Sequence, residues 1–141
     1  MTELNDPILA IEARRAARKA ELAKQRNVQL ALDLEAIDAL EVELGDSAVA
    51  ILDVPYSPGL PAALAVRCPK SSELKRYQHR LKGKDPDTAA AAEEIGAICI
   101  IYPPAGELRT ALLDSRPGLT VQAGTSALGL ATGRARDEGK E

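Results

Sequence analysis

The spacing of apolar and polar positions changes twice along the chain, and each change marks a new kind of element. Residues 3 to 26 are dominated by Ala, Glu, Arg, Lys and Leu, with Pro7 the one breaker, and this predicts a helix. Asp6 before Pro7 suits an N-cap followed by the first helical position. The apolar stripe of this helix is short: Leu4, Ile8 and Ile11, then only alanines and Leu22. A helix with so little to bury is expected to extend as an arm. Leu30, Leu34, Ile37, Leu40 or Glu41, and Leu44 then recur at helical spacing, predicting a second helix that Gly45 is placed to end.

After Gly45-Asp46 the period becomes two. Ala48, Ala50, Leu52, Val54 and Tyr56 alternate with Val49, Ile51, Asp53 and Pro55, as in a strand. Ser57-Pro58-Gly59-Leu60 has proline before glycine, the order a type II turn prefers. A second strand follows, with Ala62, Leu64, Val66 and Cys68 on one face and Ala63, Ala65 and Arg67 on the other. Residues 48 to 68 therefore predict a β-hairpin. A lone two-stranded ribbon is marginal in water, so helices must cover one of its faces.

From Ser71 onward the helical period returns. Ser71 or Ser72 is expected to cap a helix to about Leu81, with Leu74, Tyr77 and Leu81 inward and Lys75, Arg76, His79, Arg80 and Lys82 outward. Asp85 or Asp87 starts a longer helix through Ala89 to about Tyr102, stopped by Pro103-Pro104. A short helix over Gly106 to Ser115 and a last one over about Thr120 to Thr132 complete the pattern. The expected fold is α+β: a mainly helical single domain at 29–133, a helical N-terminal arm at 1–28 and a charged tail at 134–141. Its expected core includes Leu52, Val54, Leu64, Val66, Leu74, Ile95, Ile98, Cys99, Leu112 and Leu128.

Composition narrows the chemistry. The 141 residues include 25 Ala and 19 Leu but three Tyr and no Phe or Trp, so the core must be aliphatic and built from closely packed alanines. Few aromatics also mean no stacking platform for nucleic-acid bases, and a net charge of −3 does not suit a general polyanion binder. One His and two Cys are too few for a structural zinc site, and no metal or other cofactor is expected. Cys68 and Cys99, inside apolar stretches at no motif spacing, read as reduced buried thiols. The first thirty residues contain no apolar core of a secretory signal. The apolar run Ile98 to Tyr102 falls far short of the roughly 20 residues a membrane span needs. A cytoplasmic location is therefore expected. No nucleophile has a base at motif spacing, adjacent Glu93 and Glu94 do not share a helix face, and Gly124, Gly129 and Gly133 do not form a phosphate loop. Those glycines are instead expected to let helices approach or end.

Charge is segregated. Glu12 to Arg26 holds six basic residues against two acidic, whereas Asp33 to Asp46 holds six acidic and no basic one. Such segments favour antiparallel docking, either of the two on each other or between subunits. The densest basic patch is Lys75-Arg76-Tyr77-Gln78-His79-Arg80, which reads as a solvated face rather than a nucleic-acid site.

Three stretches, in this order and spacing, resemble the small tail assembly chaperones of long-tailed bacteriophages and prophages. The first is Val49-Ala50-Ile51-Leu52-Asp53-Val54-Pro55 with Pro58-Gly59-Leu60-Pro61, then Val66-Arg67 and Glu73-Leu74-Lys75-Arg76-Tyr77. The second is Cys99-Ile100-Ile101-Tyr102-Pro103, and the third is Arg116-Pro117-Gly118-Leu119 with Gln122-Ala123-Gly124-Thr125 and Ala127-Leu128. The resemblance covers roughly residues 34 to 140. It implies a non-enzymatic protein that binds the tape-measure protein, the tail-tube protein or both in the host cytoplasm during assembly, and some such proteins also have a frameshift-extended form. It supplies no catalytic residues. The alternative is a small structural tail or connector protein retained in the particle. Candidate partner-binding residues are Arg14, Arg15 and Arg18 on the arm and Lys75, Arg76 and Arg80 on the basic helix, and a homo-oligomer is a further expectation.

Overall fold

The computed structural model describes residues 6–45 and 48–133. The expected helix start at residue 3, the Asp46-Ser47 dipeptide and the charged tail at 134–141 lie outside them. Helix α1 runs unbroken over Pro7–Leu44, 38 residues or about 57 Å, so the two helices expected before Gly45 are one. Reversing the sign of charge does not interrupt a backbone, and residues 27 to 32 contain neither glycine nor proline. The expected cap at Asp6-Pro7 is present, with the Asp6 carboxylate accepting from the Ile8 N–H at 2.9 Å. It ends at Gly45, whose φ of +71° is a conformation that side chains with a Cβ avoid.

Strands β1 (Val49–Asp53) and β2 (Ala63–Arg67) form the expected hairpin, with Leu52 opposite Leu64 and Ile51 opposite Ala65. In its loop the Leu60 N–H donates to the Ser57 carbonyl at 3.0 Å, with Gly59 at φ +83°, matching the type II turn. The sheet has a third strand, β3 (Ile100–Tyr102), antiparallel to β2 with an irregularity at Ala65/Val66. Helix α3 accordingly spans Thr88–Cys99, capped by Asp87, and stops three residues short of the expected end at Tyr102. Ile100, Ile101 and Tyr102 are β-branched or aromatic, and Tyr102 precedes proline, where helical backbone is disfavoured.

A third strand makes β2 central, and both faces of the sheet are covered rather than one. Val54, Leu64 and Val66 face a core completed by Ile95, Cys99, Leu112, Leu119 and Ala127 from α3, α4 (Glu107–Ser115) and α5 (Leu119–Ala131). Ala63 and Ala65, on the opposite face, are sealed by Ile37 of α1, with Leu30, Val49, Ile101 and Tyr102 around them. Leu52, Leu74, Ile98 and Leu128, expected in the core, are half-buried at its margin.

Helix α2 (Ser71–Arg80) is capped at Lys70, one residue before the serines expected to cap it. The Glu73 carboxylate accepts from the Lys70 N–H at 2.7 Å. Leu74 and Tyr77 turn inward as expected. Helices α3 and α5 meet in a close crossing at Gly96 and Gly124. A Cβ on Gly124 would lie 2.0 Å from the Ala92 carbonyl oxygen, and one on Gly96 would lie 2.1 Å from that of Thr120.

Candidate protein-binding surfaces

The N-terminal half of α1 is a helix almost wholly in solvent. Between Pro7 and Gln25 every residue but Ala10 is exposed, including Ile8, Leu9, Ile11 and Leu22. Arg14, Arg15 and Arg18 stand on this stretch, exposed. Arg26 donates to Asp53 of β1 at 3.0 Å, tying the helix to the sheet. Exposed Val28, Leu32 and Val42 continue apolar surface onto the outer side of the C-terminal half, away from the sheet.

What fixes α1 to the body is Asp33, fully buried. One carboxylate oxygen accepts from the Ala62 N–H at 2.6 Å, and the other accepts from the Gln29 amide at 2.9 Å and from the Tyr102 hydroxyl. Three donors from the helix, the hairpin and β3 thus converge on one acid, as burial of a carboxylate requires. Burial, and then the hydrogen bond to Asp33, push the Tyr102 hydroxyl above its ordinary pKa. In the sequence Asp33 is one acid among six, and nothing assigns it a role. The available signal is its place between Leu30 and Ile37 on the apolar stripe.

The second basic group stands on α2. Lys75, Arg76 and Arg80 are exposed, and Arg80 donates to Glu94 of α3 at 2.8 Å. Beneath them Arg67 of β2 grips Glu73 through two bonds of 2.8 and 2.9 Å and also donates to the Ile98 carbonyl. The hydrogen bond from Arg67 holds the Glu73 carboxyl down at a pKa of about 2, against the opposing effect of burial. Because α1 lies on one face of the sheet and Tyr77 of α2 packs on the other, the structure does not bring the two basic groups together.

Two concavities accompany these surfaces. A groove of about 490 Å³ runs between α2, α3 and α5, lined by Tyr77, Ala92, Val121, Thr125 and Leu128 among others. A cleft of about 380 Å³ lies where Tyr56 of the hairpin loop meets Glu21, Lys24, Gln25 and Val28 of α1. Both cysteines are free thiols, and burial pushes the Cys99 thiol up to a pKa of about 11, so it is protonated at neutral pH. Among the described residues no group of three or more His, Cys, Asp or Glu side chains is arranged to hold a metal ion, and no helix is long and apolar enough to cross a membrane. No protein-family model, curated protein or solved structure matches the chain.

Proposed function

We propose that this protein works by binding other protein chains, as a tail assembly chaperone of the long-tailed-phage kind acting in the host cytoplasm. The observation that supports the reading is the exposed helical arm, which offers Ile8, Ile11 and Leu22 to solvent beside Arg15 and Lys19. Burying an aliphatic side chain of that size contributes about 1.5–3 kcal/mol before the cost of association. A few such contacts on a helical partner with apolar stripes, such as a tape-measure chain, suffice for reversible capture. The arginines add rate and selectivity more than affinity, so binding survives moderate salt while association slows.

The test is a pull-down with the tail-tube and tape-measure proteins, paired with mass spectrometry of purified particles. Capture of either protein, with the chain missing from finished particles, is the expected result. Stoichiometric presence in particles would replace the chaperone reading with that of a retained structural component. Failure to bind any tail protein, with retention on DNA at physiological salt, would overturn both and direct attention to Lys75, Arg76 and Arg80.

A further inference from the structure

Because α1 is one unbroken helix, its basic and acidic halves cannot fold onto each other within a chain. Lys24 and Glu35, for example, stand eleven residues apart, about 16 Å along the axis. Among the described residues neither Lys24, Glu35, Arg14 nor Glu43 has an ion-pair partner in its own chain. All four are exposed.

The outer side of α1, opposite the Asp33–Ile37 face, has a distinctive order. Ala17, Ala20, Lys24, Val28, Ala31, Glu35, Ala39 and Val42 follow one another at intervals of three or four residues, the spacing of a single helix face. Every one of them is exposed, Val28 by 65% and Val42 by 75%. The series of intervals reads the same in both directions. A second copy laid antiparallel, with the two-fold axis between Gln29 and Leu30, therefore sets each member of the series against another member. Ala17 meets the partner's Val42, Ala20 the partner's Ala39, and Val28 the partner's Ala31. Lys24, the one cation of the series, meets the partner's Glu35, its one anion. At the edges of the same face exposed Glu21 comes against the partner's Asp38, also exposed, a like-charge contact that the Lys24–Glu35 pair and the apolar contacts must outweigh.

We infer that the outer face of α1 is a self-association surface, on which two copies pair antiparallel in this register. Symmetry forms the Lys24–Glu35 pair twice, and Arg14 of each chain, opposite the partner's Gly45, stands two residues from the partner's Glu43. Alanines let the helix axes approach closely, while Val28, Val42 and the adjoining Leu32 supply the apolar burial. The sheet and the helices packed on its other face lie on the opposite side of α1 from this surface. Tyr56 of the hairpin loop reaches the edge of the face, where it forms a cleft with Lys24 and Val28. The Ile8, Ile11 and Leu22 face of the arm is left free, so this inference stands apart from the proposed function.

Sedimentation equilibrium of the full chain tests it. The expected result is a reversible monomer–dimer equilibrium. Lys24→Glu alone and Glu35→Lys alone, both at exposed positions that leave the core intact, should each raise the dimer dissociation constant about tenfold or more, since each places a like-charge contact twice. The double variant carrying both reversals should return to within about threefold of the parent. Cysteines at Ala20→Cys and Ala39→Cys in one chain should link into a covalent dimer, whereas Ala20→Cys alone should not link above the parent background. A chain that remains monomeric at about 100 μM, above the range of specific dimers, would overturn the inference. So would a dimer indifferent to both charge reversals, or one that Ala20→Cys alone cross-links.

Discussion

Replacing Gly124 by alanine adds one methyl group where α5 crosses closely over α3, and its consequence follows from distances. The new Cβ would sit 2.0 Å from the Ala92 carbonyl oxygen, 2.8 Å from its carbon and 3.1 Å from its Cα, all backbone atoms that no rotamer change can remove. Ordinary contact requires well over an ångström more, so α3 and α5 must separate. The aliphatic layer between them, including Ile95, Cys99, Ala123 and Ala127, would lose contact on both sides. Overpacking of this kind costs about 1–3 kcal/mol or more, while alanine gains about 1 kcal/mol over glycine in helix propensity. The clash involves two backbones and should fall at the upper end, leaving a net loss of about 2 kcal/mol and a melting temperature lower by roughly 6–10 °C. Gly129, five residues later on the same helix, meets nothing within 4 Å and serves as the internal control. Gly129→Ala should be neutral or stabilising by up to about 1 kcal/mol. Urea unfolding followed by circular dichroism at fixed protein concentration measures both. A Gly124→Ala variant as stable as the parent, or a Gly129→Ala variant equally destabilised, would refute the close crossing.

Other outcomes follow from single groups. Asp33→Ala orphans three donors and should cost about 3 kcal/mol or more, and Tyr102→Phe, which removes one of those donors, about 1–2 kcal/mol, both read by urea unfolding. Glu73 has a folded pKa of about 2, below its unfolded value near 4.5, so its contribution is full above about pH 4.5 and is lost as pH falls toward 2. Glu73→Gln should flatten that part of the stability–pH profile, and an unchanged acid limb would contradict the Arg67 pairing. Ile95→Asp should prevent cooperative folding, whereas Ile98→Asp, at a half-buried position, should be milder; equal effects in thermal melts would contradict the assigned core margin.

The hairpin was legible because alternation over residues 48 to 56 and 62 to 68, with Pro58-Gly59 between, leaves few other conformations. Helix starts at Pro7 and after Asp87 were legible for the same local reason. Ile100–Tyr102 was not, because a three-residue strand gives no period and its pairing with β2 is set by contacts more than thirty residues away. The sealing of the second sheet face by α1 was hidden likewise. Ala63 and Ala65 reveal only that something must approach closely, not which element does. Of the candidate site, the exposure of Arg14, Arg15, Arg18, Lys75, Arg76 and Arg80 followed from helical spacing, but their separation onto opposite layers depended on the sheet between them.

In the proposed function the exposed arm, rather than the folded body, captures the partner chain. This role is tested most directly by comparing the full chain with a variant lacking residues 2 to 25 in binding to an immobilised tape-measure protein. The truncation ends before Arg26 and Asp33, so the body should keep its cooperative unfolding. The expected result is saturable binding by the full chain and at least a tenfold loss of affinity in the folded truncation, equivalent to about 1.4 kcal/mol. Equal affinity for the two chains would contradict it.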